Sequence, residues 1–400
     1  MPKLLIINVT CNQGSTGKIS EQIGALMKSA GWEVYLAHGA RRVNPSELIT
    51  FQFSHVKDEY LHFVKSLLFD GDGLGSIVAT KRLLRYIKNV KPDIIQLHNL
   101  HGYYINYKIL FGYLNKTQIP VVMTLHDCWS FTGHCVHPII ANCDKWKSEC
   151  NHCPLKNKYP KKTIGLDGAK RNFLLKQRYF TANKNLHIVA VSNWLASWLQ
   201  QSILRTKPIS IIHNGIDLDT FLPYKRTNSE KYRILGVSNV WLNDKGLLDV
   251  FKLRTLLPLE KYQITLVGLS TKQVKRLPEG IIGITRTSNQ QELAKLYSDA
   301  DVLINPTYAD TFPTVNLEAL ACGTPVVTYK TGGSPEALSV DTGIVVERGD
   351  VKGMADAIMI KSVKTKEIIN ACRQRAVSNY DKNICFLEYA ELYSELITKH

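Results

Sequence analysis

Short β-branched apolar runs alternate with amphipathic segments nearly from end to end of the chain. In the first half the runs are "KLLIINV" (3–9), "WEVYLAH" (32–38), "DIIQLHN" (93–99), "PVVMTLHD" (120–127) and "LHIVAVS" (186–192). Each predicts a strand, and the segments between them predict helices, for example Lys18 to Ser29 with Ile19, Ile23 and Leu26 on one face. After "ISIIHNGIDLDTFLP" (209–223) the chain turns polar at "YKRTNSEK", and a second series begins: "YRILGVS", "YQITLVG", "DVLINP" and "TPVVTYK". Strand–helix alternation of this kind predicts parallel sheets with helices on both faces. Two series in 400 residues predict two such domains, with a junction near Gly215. In sheets of this type ligands bind beyond the carboxyl ends of the strands, so the residues after each strand carry the chemistry.

Apolar residues make up 44% of the chain and charged residues 21%, ordinary globular values. No apolar run approaches the length that crosses a bilayer. "MPKLLII" reads as a buried first strand rather than a signal peptide, so a cytoplasmic protein is expected. The net charge of +16 calls for a polyanionic partner. Nucleic acid, an anionic membrane face and a phosphorylated substrate all satisfy it, and charge alone does not choose.

"CNQGSTGKIS" (11–20) follows the first strand and opens the first helical pattern. A Walker A loop needs Gly, four residues, Gly-Lys and then Ser or Thr. Here Asn12 stands in place of the first Gly, and Ile19 follows Gly17-Lys18. The dinucleotide pattern G-x-G-x-x-G is absent as well. What remains is a small-residue βα turn including Gly14 and Gly17, whose free backbone N–H groups suit an anion. A plain turn that needs glycine for its backbone angles reads equally well.

The most informative segment is "YADTFPTVNLEALACGTPVV" (308–327). A polar loop after the strand "DVLINP" leads into a helix carrying Glu318, a carboxylate placed in the helix's first turn to accept two hydrogen bonds from a sugar diol. Beside it the backbone of Thr314 and Val315 can hold phosphate. This segment resembles the Glu-x7-Glu motif of the family-4 retaining glycosyltransferases, with Asp310 and Glu318 at the motif's spacing. The resemblance extends to "NDKGLLDV" around Lys245, "HNGIDLDTF" from His213, "TGGSPEAL" from Thr331 and "TGIVV" from Thr342.

The resemblance implies the GT-B fold: two Rossmann-like domains, 1–215 for the acceptor and 216–380 for the donor, facing a cleft, with a helix in 381–400 returning to the first domain. It implies that Glu318 holds the ribose of a UDP- or GDP-sugar, that Asp310 holds a hydroxyl of the transferred sugar, and that Lys245 neutralises the departing diphosphate. Asp310 departs from the family's Glu and reaches about one C–C bond less. The family's Arg before that Lys is missing from "SNVWLND". Arg286, after the strand-like "IIGIT", is expected to supply the missing cation. His126, at the end of "PVVMTLHD", is implied to face the donor sugar, although a His next to Asp127 also makes a structural corner. His98 and His101 in "QLHNLHGYY" suit acceptor hydroxyls or loop packing. Transfer with retention of configuration and without a catalytic metal is what the family implies, to a glycan or polyprenyl-linked acceptor in surface polysaccharide synthesis.

Five of the nine cysteines lie between Cys128 and Cys153. Cys135, Cys143, Cys150 and Cys153 are separated by seven, six and two residues, a spacing that can close a structural zinc tetrahedron and staple an insertion over 128–160. Iron–sulfur ligation is the rival. From Lys156 to Lys184, nine Lys/Arg residues accompany one acid, Asp167. With Phe173 and Phe180 on one side and Arg171 and Arg178 on the other, this stretch suits an anionic membrane surface at the inner face, or a solvated basic helix. Two alternatives stay open: another GT-B activity, such as a sugar-nucleotide epimerase or sugar-phosphate synthase, and a zinc-stapled nucleic-acid binder. The placing of Glu318 argues against a nucleic-acid partner.

Overall fold

The computed structural model of the chain describes residues 1–160, 166–360 and 364–399. Packing divides the chain into two compact units, one of Met1–His213 with Phe386–His400 and the other of Asn214–Cys385.

The first unit is built on seven strands: β1 (Lys3–Asn8), β2 (Glu33–His38), β3 (Ile49–Gln52), β4 (Ile94–Leu97), β5 (Val121–Leu125), β6 (Leu186–Ala190) and β7 (Ile209–Ile211). Their order in the sheet is β3-β2-β1-β4-β5-β6-β7, with every pairing parallel. Leu4, Leu5, Ile6 and Ile7 are wholly buried, as are Ile94, Ile95 and Leu97, because helices cover both faces of the central strands. The second unit has six: β8 (Tyr232–Val237), β9 (Tyr262–Val267), β10 (Ile281–Ile284), β11 (Val302–Asn305), β12 (Val326–Tyr329) and β13 (Gly343–Val346). Their order is β10-β9-β8-β11-β12-β13, again all parallel. Both are doubly wound Rossmann-like sheets.

The strands that the apolar pattern does not single out, β3, β7 and β13, are all sheet edges. Edge strands are short and covered on fewer sides, so they lack the unbroken apolar run of an inner strand. The first helix also starts earlier than its periodicity predicts, at Gly14 rather than Lys18. Its buried apolar side chains are Ile19, Ile23 and Met27, while Leu26 is half-buried.

In each sheet the strand order reverses once, between β1 and β4 and between β8 and β11. A crevice opens outside the carboxyl ends at such a reversal, because the loops there run to opposite sides. The last helix, Lys382–Thr398, begins beside Ile216, which bridges to Asp381. From Phe386 onward it packs in the first unit. Tyr389 shares a hydrogen bond with Thr124 Oγ1 at 3.1 Å, and the Tyr393 ring lies 6.1 Å from that of Trp32. Among the described residues no helix is long and apolar enough to cross a membrane.

Candidate functional site

In the second unit the predicted donor residues gather at the reversal point. Lys245 lies in the turn Asn243–Lys245 that follows β8, and Asp310 and Glu318 follow β11, the adjacent strand. The Lys245 ammonium donates to Asp310 Oδ2 at 2.9 Å and reaches the Ala309 carbonyl at 3.4 Å. The turn is pinned from below: a Cβ on Gly246 would stand 2.2 Å from the Pro306 carbonyl, and Tyr308 N–H donates to the Asp244 carbonyl at 2.9 Å. Asp310 is set from behind by "TGG". Gly332, at φ +53°, passes so close that a Cβ there would stand 1.7 Å from the Asp310 carbonyl oxygen.

Glu318 sits in the second turn of the helix Thr314–Ala321, not the first. Its carboxylate accepts a hydrogen bond from Tyr297 OH at 2.7 Å. Burial and the Glu318 carboxylate together raise the Tyr297 phenol well above its usual range, so it remains a donor. The helix N-terminus has no capping side chain and no acid in its first turn, so Thr314 and Val315 offer backbone N–H groups to an anion. The carbonyl of Phe312, two residues earlier, accepts from Asn214 Nδ2 at 3.2 Å. Asn316, at the third position, is buried between Asn305 Nδ2 (2.9 Å) and the Ser334 carbonyl (3.2 Å). Arg286 is exposed after β10, at the sheet edge, so two strand spacings separate its strand from the one that leads to Lys245.

In the first unit the residues after β1 and β4 likewise meet at the reversal point. A Cβ on Gly17 would stand 2.6 Å from Thr10 Oγ1, so this glycine lets the helix start close against the turn. Gly14 takes φ +69° and has open space around it. His98 Nδ1 and His126 Nε2 are 2.9 Å apart, their rings stacked. Burial pushes His98 well below the ordinary imidazole value and His126 down to about 4, so both are neutral at pH 7. His101 behaves in the opposite way. It contacts Asp127 Oδ2 at 2.7 Å and Tyr159 OH at 3.0 Å, and the carboxylate more than offsets burial, raising the imidazole pKa. Despite burial, the His101 pairing brings Asp127 down to about 2. Thus the predicted histidines divide: His98 and His126 pair with each other and are lowered, while His101 pairs with Asp127 and is raised.

Beside them lie groups that sequence reading passed over. Lys176 is buried under the Trp129 ring (3.4 Å to its centroid), donates to the carbonyls of Trp129 (2.6 Å) and Thr132 (3.0 Å), and is lowered to about 7 by burial. Asp72, 4% exposed, has no hydrogen bond to either carboxylate oxygen among the described residues. The glycine-rich "DGDGLG" around it was the available signal.

The arrangement of two parallel sheets is matched by known proteins. A family model described as Glycosyltransferase Family 4 matches residues 21–220, half of the chain, and one described as Glycosyl transferases group 1 matches residues 231–360. The chain belongs to glycosyltransferase family 4. Among curated proteins, the glycosyl transferase WcaC of Escherichia coli K12, named for colanic acid biosynthesis, is 25% identical over 350 residues, 82% of each chain. Among solved structures, the sucrose-phosphate synthase of Thermosynechococcus elongatus superposes over the full length of both chains with a TM-score of 0.76 at 16% identity. The lipopolysaccharide glycosyltransferase WaaG covers 98% of this chain and 99% of its own at 0.65 and 13% identity. These neighbours establish the GT-B fold.

The glycosyltransferase's cysteine-rich insertion contains only short 3-10 turns: Trp129–Phe131, Pro138–Ala141 and Lys145–Lys147. Cys135, Cys143, Cys150 and Cys153 all line one small cavity of ≈ 10 Å³, and Cys135 and Cys153 share a hydrogen bond that lowers the Cys153 thiol. His152, at φ +41°, folds the C-x2-C link into a tight turn whose carbonyls at Asn151 and His152 accept from Lys145 Nζ. Cys128 is buried outside that cavity. Among the described residues no three His, Cys, Asp or Glu side chains are already positioned to hold a metal ion.

Proposed function

We propose that this glycosyltransferase moves a sugar from a UDP- or GDP-linked donor, held by the second unit, to a hydroxyl of a glycan or polyprenyl-linked acceptor, with retention of anomeric configuration. Assembly of a bacterial surface polysaccharide is the setting. The observation that carries this reading is the grouping at the β8/β11 reversal: a carboxylate fixed by a buried tyrosine, an uncapped helix start and a Lys–Asp pair. Each part answers to one part of a nucleotide-sugar. Glu318 accepts from the ribose diol. The N–H groups of Thr314 and Val315 and the Lys245 ammonium neutralise the diphosphate as it leaves, which is where charge develops in the reaction. Asp310, within reach of Lys245, accepts from a hydroxyl of the transferred sugar and so orients the ring. In the first unit, the His101–Asp127 pair and Tyr159 offer donors and acceptors to a polyhydroxylated acceptor.

The relatives support the same class. HepE of Anabaena has been solved with UDP and with UDP-glucose. The names of WcaC and WaaG refer to colanic acid and lipopolysaccharide. A thermal-shift panel of UDP, GDP and ADP tests the donor assignment, since a ligand held at about 100 times its Kd stabilises the fold by roughly 2.7 kcal/mol. UDP or GDP raises the melting temperature if the reading is right. No shift with any of the three overturns it. The anomeric proton coupling of the product, read by NMR, tests retention.

A further inference from the structure

The helix Val56–Phe69 is amphipathic in an unusual sense. Its buried residues are Glu59, His62 and Ser66, while Val56, Tyr60, Leu61, Leu68 and Phe69 are exposed, Leu61 at 69%. Positions 56, 60, 64 and 68 recur at i, i+4, so the outward apolar side chains form one stripe along the helix rather than scattered exceptions. The following helix, Ile77–Val90, opens with exposed Ile77 and Val78 and continues with exposed Lys81 and Arg85. An Arg82–Asp58 ion pair at 2.6 Å ties the two helices together.

The charges around the stripe have one sign. Lys57 and Lys65 border it on the first helix, and Lys81 and Arg85 extend it on the second. The two acids of these helices are already committed: Asp58 to Arg82, and buried Glu59 to Arg41 and to the Ala40 N–H. Among the described residues Lys57, Lys65, Lys81 and Arg85 make no ion pair, so the face is apolar with a purely cationic border. The predicted basic stretch, Lys156–Lys184, differs. There Arg171 donates to the carbonyls of Phe69 and Asp70, Lys170 pairs with Glu149, Lys176 is buried, and Phe173 and Phe180 belong to the core. Its Lys161 and Lys162 lie outside the described residues.

We propose that the two-helix face of Val56–Phe69 and Ile77–Val90 docks on an anionic lipid bilayer. The exposed apolar side chains enter the headgroup region and the four cations meet lipid phosphates. The inference is independent of the donor assignment. Its test is cosedimentation of the full chain with vesicles of phosphatidylcholine, with and without about 30% phosphatidylglycerol, since each cation near such a surface contributes about fivefold in binding. Binding to the anionic vesicles only, weakened by salt, is expected. Lys57→Gln with Lys81→Gln should lose roughly 25-fold, and Leu61→Ser should also weaken partitioning. Lys170→Gln with Arg178→Gln should not, and an unchanged melting temperature shows that each variant is folded. The proposal is overturned by equal binding to neutral and anionic vesicles, by no binding to either, by equal losses in both lysine/arginine pairs, or by a concentration-dependent dimer that Leu61→Ser dissolves.

Discussion

Tyr297→Phe isolates the contact that positions Glu318. The hydroxyl is buried and donates to a carboxylate at 2.7 Å, while the ring packs edge-on to Phe221 at 6.2 Å and stays in place in the variant. A hydrogen bond to a charged group contributes about 1.5–3 kcal/mol, and the half-buried position of Glu318 lets water recover part of it, leaving about 1–2 kcal/mol. If Glu318 must be held to receive both ribose hydroxyls, that energy appears as roughly a 5- to 30-fold weaker donor, with little change in kcat, because the ribose contact is the same in ground and transition states. Calorimetric titration of UDP or GDP measures it. The decisive comparison is with the 2′,3′-dideoxy nucleotide and with a Glu318→Ala background. In both, Tyr297→Phe should have almost no further effect, since the group it positions no longer has a diol to meet. An undiminished loss in either would show that the tyrosine acts by packing alone, and the ribose role of Glu318 would lose its support.

Lys245→Ala should lower kcat/KM for the donor by about 10²-fold, the usual loss on removing a preorganised donor to developing charge; Arg286→Ala at wild-type rate would refute its assignment as the second cation. Gly332→Ala should cost more than about 1 kcal/mol in urea denaturation, since φ +53° and the Asp310 carbonyl both oppose a Cβ, whereas Gly14→Ala meets only the backbone term. Lowering pH from 6.5 toward 4 should destabilise the first unit selectively. His98 and His126 have depressed pKa values, so the unfolded chain binds protons that the folded one refuses, at up to about 1.4 kcal/mol per pH unit for each; His101, raised, works in the opposite sense, its stabilisation being lost as pH rises rather than as it falls. Hydrogen exchange that loosens both units equally would contradict this. A structural zinc on Cys135, Cys143, Cys150 and Cys153 predicts close to one zinc per chain by mass spectrometry, released by a mercurial as four thiols are titrated; folded, metal-free protein with four reactive thiols would refute it.

The inner strands and the donor motif were legible because each leaves a local mark. β1, β4, β5, β11 and β12 are buried on both faces and read as mainly apolar runs, interrupted only at Gln96, Thr124 and Thr328 within β4, β5 and β12, and Asp310, Glu318 and Gly332 fall in one short stretch of chain. What was not legible depends on residues far apart in sequence. Tyr297 lies 21 residues before Glu318, on the helix Gln290–Asp299, where it looks like any core aromatic. The His98–His126 and His101–Asp127 pairs divide four adjacent-looking polar residues: burial lowers His98 and His126, while the Asp127 carboxylate outweighs the same burial at His101, a difference of spatial partners that the sequence does not show. For the basic stretch around Lys170 the sequence left two readings open, since charge in a sequence says nothing of which cations are already used by carbonyls and carboxylates, as Arg171, Lys170 and Lys176 are.

The substitution of Asp for the family's Glu at position 310 gains a physical account from the Lys245 contact. A carboxylate on the shorter stem is already 2.9 Å from the ammonium, and Gly332 allows the backbone behind it to close to van der Waals range. The pair is about one-third exposed on the lysine side and one-quarter on the aspartate side, so solvent screens it and it contributes little to stability. A diphosphate brings more negative charge than one carboxylate, and Lys245 can meet it by rotating its flexible stem rather than by moving the turn that Gly246 fixes. On the proposed donor reading that exchange would free Asp310 to accept from the sugar when the leaving group is bound. On that reading the two residues would act not as separate donor contacts but as one coupled element, whose partners change when a nucleotide-sugar arrives. Coupling of this kind should make the Lys245→Ala and Asp310→Asn losses less than additive in kcat/KM, by about 0.5–3 kcal/mol, and strict additivity would show that the ion pair has no part in the reaction.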